Sequence, residues 1–123
     1  MSRVNENDSR SVGAYHAGGF KLGVCELVPA NDYVLSAKMP PVVIMTPAGA
    51  VDVLMPASSA ETKGLTFWIY NVGAGGIITL KTSTDAAFAT AITVAVSGGW
   101  VMVVCTGSPT ANLGWRVVAS NLP

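Results

Sequence analysis

The sequence predicts an all-β protein: a single-domain β-sandwich or jelly-roll with an extended N-terminal arm. Three observations carry that prediction. Short apolar/polar alternations recur at Val51–Met55, Leu65–Asn71 and Ile92–Val96, the period of a half-buried strand. Turn signals built from Gly, Pro, Asn and Ser separate such runs roughly every 8–12 residues. Val outnumbers Leu 17 to 8, and there are ten Thr, a composition that fits a pleated sheet. No segment sustains a helical period, and no internal repeat is read. The 123 residues suit one domain, divided into an arm over 1–12 and a β-sandwich domain over 13–123.

The elements follow in order. Residues 1–12 are polar and aperiodic, which reads as an arm or as a loose terminus. Phe20, Leu22 and Val24 alternate with Lys21 and Gly23, a short strand pattern. Pro29-Ala30-Asn31-Asp32 turns the chain into Tyr33-Val34-Leu35, and Pro40-Pro41 ends that stretch. Val42–Met45 is β-rich, and Pro47-Ala48-Gly49 is a turn. In the next strand Val51, Val53 and Met55 share one face, with Asp52 and Leu54 on the other. Residues 56–64 form a linker with room for one helical turn, capped by Ser58 or Ser59 and stopped by Gly64. Leu65, Phe67 and Ile69 then face one way, and Thr66, Trp68 and Tyr70 the other. Gly73-Ala74-Gly75-Gly76 followed by Ile77–Lys81 is read as the turn and second strand of a hairpin. Ala86–Ala91 fits either a helical turn or an edge strand. Trp100–Cys105 is apolar on both faces, and Trp115–Ala119 closes the domain. The expected core contains Phe67, Ile69, Val94, Val101, Val103 and Val117.

Seven Lys+Arg balance seven Asp+Glu, and only 11% of residues are charged, against about 25% in ordinary domains. Arg3, Glu6, Asp8 and Arg10 hold four of the fourteen charges. The rest of the chain is too poor in charge to coat itself. Either part of its surface is buried on a partner, or a neutral Ser/Thr/Gly surface serves instead. Net neutrality argues against nucleic-acid binding through bulk electrostatics. The longest apolar run, Trp100–Cys105, is far short of the roughly 20 residues of a spanning helix, so no membrane partner is expected. The first residues lack the apolar core of a secretory signal. Cys25 and Cys105 lie in apolar surroundings and are expected to be free thiols, as in a reducing cytoplasm.

No catalytic constellation is legible, and no enzyme activity, cofactor or metal is expected. His16 is the only histidine, and no Gly-x-Ser-x-Gly elbow accompanies it. One His and two distant Cys do not make a metal site. The seven carboxylates sit in no motif that pairs two of them across a cleft. The glycines at 73–76 lead into a strand, whereas a phosphate loop leads into a helix. Trp68, Trp100 and Trp115 suit a core or an interface, with stacking on sugar rings as the other use of such residues. The contact candidates are Arg3, Glu6, Asp8 and Arg10, whose mixed signs suit hydrogen bonds and ion pairs to a neighbouring subunit.

One order of motifs is familiar. Leu54-Met55-Pro56-Ala57 precedes Lys63-Gly64-Leu65-Thr66-Phe67-Trp68-Ile69 and Asn71-Val72-Gly73-Ala74-Gly75. Ile77-Ile78-Thr79-Leu80, Gly98-Gly99-Trp100 through Thr106-Gly107, and Trp115 follow. Over residues 51–119 this resembles the small β-domains of tailed-bacteriophage virion proteins, most of all capsid decoration (cement) proteins. The pattern usually runs from Asp-Gly-Thr directly into a Trp, whereas here residues 106–114 intervene. The resemblance implies a virion structural protein on the capsid surface, made in the host cytoplasm. Its partners would be the major capsid protein and itself, as a homodimer or homotrimer. A receptor- or glycan-binding module of a tail fibre or head surface is the alternative, and a non-viral β-sandwich adaptor is a third.

Overall fold

The computed structural model describes residues 21–121. The expected arm over 1–12 lies outside them. The described residues form nine strands: β1 (Val24–Leu27), β2 (Tyr33–Val34), β3 (Val42–Met45), β4 (Val51–Leu54), β5 (Thr66–Asn71), β6 (Ile78–Lys81), β7 (Ala87–Val94), β8 (Gly99–Cys105) and β9 (Trp115–Ser120). A 3-10 turn at Ala111–Leu113 is the one helical element among them. The described residues are nearly all-β, as the composition predicts. Residues 56–64 hold turns only: Ser59 Oγ accepts the Glu61 N–H, and Gly64 ends the segment at φ +88°. The ambiguous stretch Ala86–Ala91 falls mostly within the eight-residue strand β7.

Two mixed sheets result, one ordered β1-β3-β5-β8-β9 and the other β2-β4-β6-β7. From β1 to β6 the chain changes sheet at every connection. Each strand therefore pairs in parallel with the strand two places on: β1 with β3, β3 with β5, β2 with β4, and β4 with β6. The registers stack Leu27, Met45 and Asn71 at the ends of β1, β3 and β5. They likewise stack Tyr33, Val53 and Leu80 in the other sheet. Three strand–corner–strand arches thus lie one upon another. Their corners begin Val28-Pro29-Ala30, Thr46-Pro47-Ala48 and Val72-Gly73-Ala74. This is a structural repeat that the sequence does not announce. A parallel ladder fixes the backbone path and leaves most side chains free to differ. The ladder continues round the corners: Thr46 N–H donates to Leu27 O at 2.9 Å, Ala48 N–H to Pro29 O at 3.3 Å and Val72 N–H to Met45 O at 3.0 Å. Pro47 sits between the donating residues Thr46 and Ala48, where no N–H is needed.

Two expectations are corrected here. Gly73–Gly76 does not close a hairpin: β5 pairs with β3 and β8, while β6 pairs with β4 and β7. The glycines serve close approach instead. A Cβ on Gly75 would collide with the carbonyl oxygens of Pro47 and Ala48, and one on Gly76 with the backbone of Gly49 and Ala50. The third corner rests directly on the second. The four parallel pairings also depart from a jelly-roll, whose strands run antiparallel.

The later strands are antiparallel. β6 and β7 join through a turn where Thr82 N–H donates to Ala86 O and Asp85 adopts φ 65°. Ser97 and Gly98, both at positive φ, return the chain to the five-stranded sheet. One core lies on the inner faces of both sheets. Val43, Met45, Phe67, Ile69, Val101 and Val103 come from one, and Val51, Val53, Ile78, Leu80, Ile92 and Val94 from the other. Phe67 and Trp115 meet there with ring centroids 5.9 Å apart. Val117, expected in the core, is 42% exposed. It lies on the edge strand β9, past an irregularity in the β8–β9 register. There the strand lines an open groove of about 260 Å³ against Phe88, Ile92 and Leu113 and is not covered by the second sheet.

Two stability measurements follow from this packing. Gly76→Ala is expected to cost at least about 1–3 kcal/mol, the range for forced overpacking. Gly49→Ala, with no atom within 4 Å of the added Cβ, should stay within about 0.5 kcal/mol of wild type. Equal urea midpoints for the two variants would remove the close approach of the corners as a determinant of the fold. Phe67→Ala should cost about 3–5 kcal/mol, the range for a fully buried Phe. A loss below about 1 kcal/mol would mean that the site refills around the missing ring.

Candidate functional site

Strand alternation gives the five-stranded sheet a second face, turned away from the core. Register sets its side chains in rows across the strands. Val24, Val42, Trp68, Met102 and Ala119 form one row. Glu26, Ile44, Tyr70 and Trp100 form the next. Thr66, Val104 and Arg116 form a third. Val42, Ile44, Trp68, Tyr70, Trp100, Met102 and Val104 are each half-buried. The rings of Tyr70 and Trp100, on adjacent strands, are 6.2 Å apart and tilted by 39°. Trp68 Nε1 is covered and has no hydrogen-bond partner among the described residues. The three central strands carry no charge on this face. Glu26 on β1 and Arg116 on β9 occupy its two margins.

The outer face of the four-stranded sheet is different. Asp52 and Lys81, diagonal neighbours on β4 and β6, form an ion pair at 3.7 Å, and Thr79 and Thr93 lie opposite each other on β6 and β7. Such an exposed pair adds at most about 1 kcal/mol, but it keeps the surface wet. One sheet thus carries charge on its outer face, beside the exposed Val34 and the half-buried Leu54, and the other carries none on its three central strands. An outer face of this kind can bind another apolar protein surface.

The sequence-derived contact candidates Arg3, Glu6, Asp8 and Arg10 lie outside the described residues, as does His16. Trp115 is unavailable for sugar stacking: it is 4% exposed, and its Nε1–H donates to Pro56 O at 2.9 Å. Trp68 and Trp100 sit on the outer face. The 106–114 loop is closed on itself, with Thr106 Oγ1–H donating to Leu113 O and Thr106 N–H to Gly114 O, both at 2.8 Å. Val42, Ile44, Met102 and Val104 were not singled out from sequence. Their signal is that β3 and β8 are apolar at every position except Gly99, the mark of a sheet with both faces covered.

Both cysteines are free. Cys25 shares a row with Val101, and Cys105 lies four residues further along β8. Three strand spacings, about 14 Å, already exceed the roughly 7 Å limit for a disulfide. The Cys105 Sγ lies 3.4 Å from Ser58 Oγ and 3.4 Å from Thr62 Oγ1. Burial pushes its thiol up, but hydrogen bonds with Ser58, Thr62 and the backbone of Gly107 and Ser59 outweigh that and leave it below its ordinary value. Among the described residues no three His, Cys, Asp or Glu converge on a metal position. No helix there is long and apolar enough to cross a membrane.

Compared with known proteins, the chain matches no family model, no curated protein and no solved structure.

Native-state alkylation should modify Cys25, half-buried on an edge strand, before Cys105, which is 2% exposed. Non-reducing mass spectrometry should show two unlinked thiols. A Cys25–Cys105 linked peptide would contradict the separation of the two strands.

Proposed function

We propose that the chain is a non-catalytic structural subunit of a virion, a decoration protein that binds and stabilises an assembled capsid shell. One observation carries the reading: a contiguous apolar sheet face, centred on Trp68, Tyr70 and Trp100, in a chain with 11% charged residues. Such a face is stable in water only when it is covered. In this reading the two sheets act together as one β-sandwich body, and the work is mechanical. Identical subunits bury apolar area across joints of the shell and add their contact energies through multivalency. The major capsid protein is the proposed partner, with Arg3, Glu6, Asp8 and Arg10 as the proposed contacts to the shell and the apolar face as the contact between the subunits themselves. The tilted Tyr70–Trp100 ring pair, half-buried on the outer face, favours the second reading, a glycan- or receptor-binding module, because tilted aromatic pairs also cradle sugars.

Co-sedimentation with assembled phage capsids separates the two. The decoration reading expects saturable binding to shells and none to a glycan array. Deleting residues 2–12 should weaken shell binding and make the remainder less sensitive to salt, since exposed ion pairs are screened. Glycan binding by the isolated protein, with no retention on shells, would replace the first reading by the second.

A further inference from the structure

The apolar face carries a more specific assignment, which rests on reading the chain as an assembly subunit. We propose that the outer face of the five-stranded sheet is the interface of a face-to-face homodimer.

The face has the anatomy of an interface. Its aromatic residues are central: Trp68 and Tyr70 stand on β5, the middle strand of five, and Trp100 on the neighbouring β8. Aliphatic side chains surround them, and the charged Glu26 and Arg116 stand at opposite margins. Buried aromatics at the centre with polar groups at the rim are how binding energy concentrates in protein interfaces. The outer face of the other sheet carries the Asp52–Lys81 pair and two threonines beside Val34 and Leu54, whereas the three central strands here carry no charge.

The size fits a pair. Rows of five, four and three residues cover on the order of 400 Å² of face per copy. Two such faces together remove on the order of 800 Å² from water, the size of a weak pair that comes apart on dilution. Charge selects the occupant. A partner with a charged surface would strand its charges against three strands that offer them nothing. A second copy brings an equally neutral face of the same size, in equal number wherever the chain is made. Because the aromatic cluster lies near the middle of the sheet, a twofold axis through it sets the two clusters against each other. Aligned packing at about 10 Å between sheets gives the geometry.

Sedimentation of the isolated chain tests this without any shell, so it fails or succeeds separately from the capsid reading. The expected mass is twice the 12.6 kDa protomer. Ile44→Lys and Met102→Lys place a cation near the centre of the face without touching the core side. Each should weaken dimerisation by at least about 100-fold, because the ammonium loses water with no partner. Thr79→Lys, on the outer face of the other sheet, should leave the dimer intact. Radical footprinting of the wild-type chain gives a readout that does not depend on any variant folding. Trp100 and Met102 should be protected in concentrated protein and become modified on dilution. A monomer at about 100 µM would leave the face to a different protein and overturn the dimer. A trimer, a dimer that survives a folded lysine variant, or footprints unchanged by dilution would overturn it equally.

Discussion

The structure depends on the contact between the second and third corners. Gly75 and Gly76 bring the backbone of one arch against the backbone of Pro47–Ala50, and no side chain fits between them. Once the corners touch, hydrogen bonds on both sides fall into register together: Val72 N–H to Met45 O in one sheet, and Val51 N–H to Ile77 O in the other. The β3–β5 and β4–β6 pairings are then one event. Asn71 locks the result. Its Nδ2 donates to Gly76 O and Val94 O, and its Oδ1 accepts the Gly73 N–H. Its backbone carbonyl also takes the Gly98 N–H. A fully buried amide, satisfied on both its atoms, thus ties the third corner to β7 and to the turn that leads into β8.

That lock decides what the surface looks like. Because the chain changes sheet at each corner, β5 gains β3 on one side and leaves its other edge to β8. The strand carrying Trp68 and Tyr70 becomes the middle of the larger sheet. Had β5 and β6 formed a hairpin, they would have been neighbours in one sheet, and these rings would have stood among Thr79 and Lys81. Topology, more than the residues themselves, gathers a continuous apolar surface out of segments far apart in the chain.

What was legible in the sequence was whatever the period of two controls. Alternation placed Phe67, Ile69 and Val94 inward and put Asp52 outside, because a strand with one wet face must alternate. Alternation says nothing about which strand lies beside which. The glycine run at 73–76 reads the same whether it turns a hairpin within one sheet or an arch between two. Only the backbone of Pro47–Ala50 lying against it tells them apart, and that contact is between segments about 25 residues apart. Val117 failed for a related reason: its alternation is sound, but β9 is an edge strand that reaches past the cover of the second sheet. The face at Val42, Ile44, Met102 and Val104 was visible as strands apolar on both sides. That pattern is ambiguous between a doubly covered sheet and a loosely specified core until the register is known.

The same strands therefore carry two independent sets of instructions. In β5, Phe67, Ile69 and Asn71 build the core and the lock, while Thr66, Trp68 and Tyr70 between them meet the outside. In β8, Val101, Val103 and Cys105 face inward, and Trp100, Met102 and Val104 outward. Fold and contact are written on alternate letters of one segment. A change on the outer set alters what the sheet can lie against while leaving the inner packing in place, since side chains on opposite faces of a strand do not touch. The outer set of β3, β5 and β8 can thus be tuned for a partner without repacking the core. Those positions hold no charge and three aromatic rings, whereas the outer face of the other sheet carries Asp52 and Lys81 beside Val34 and Leu54.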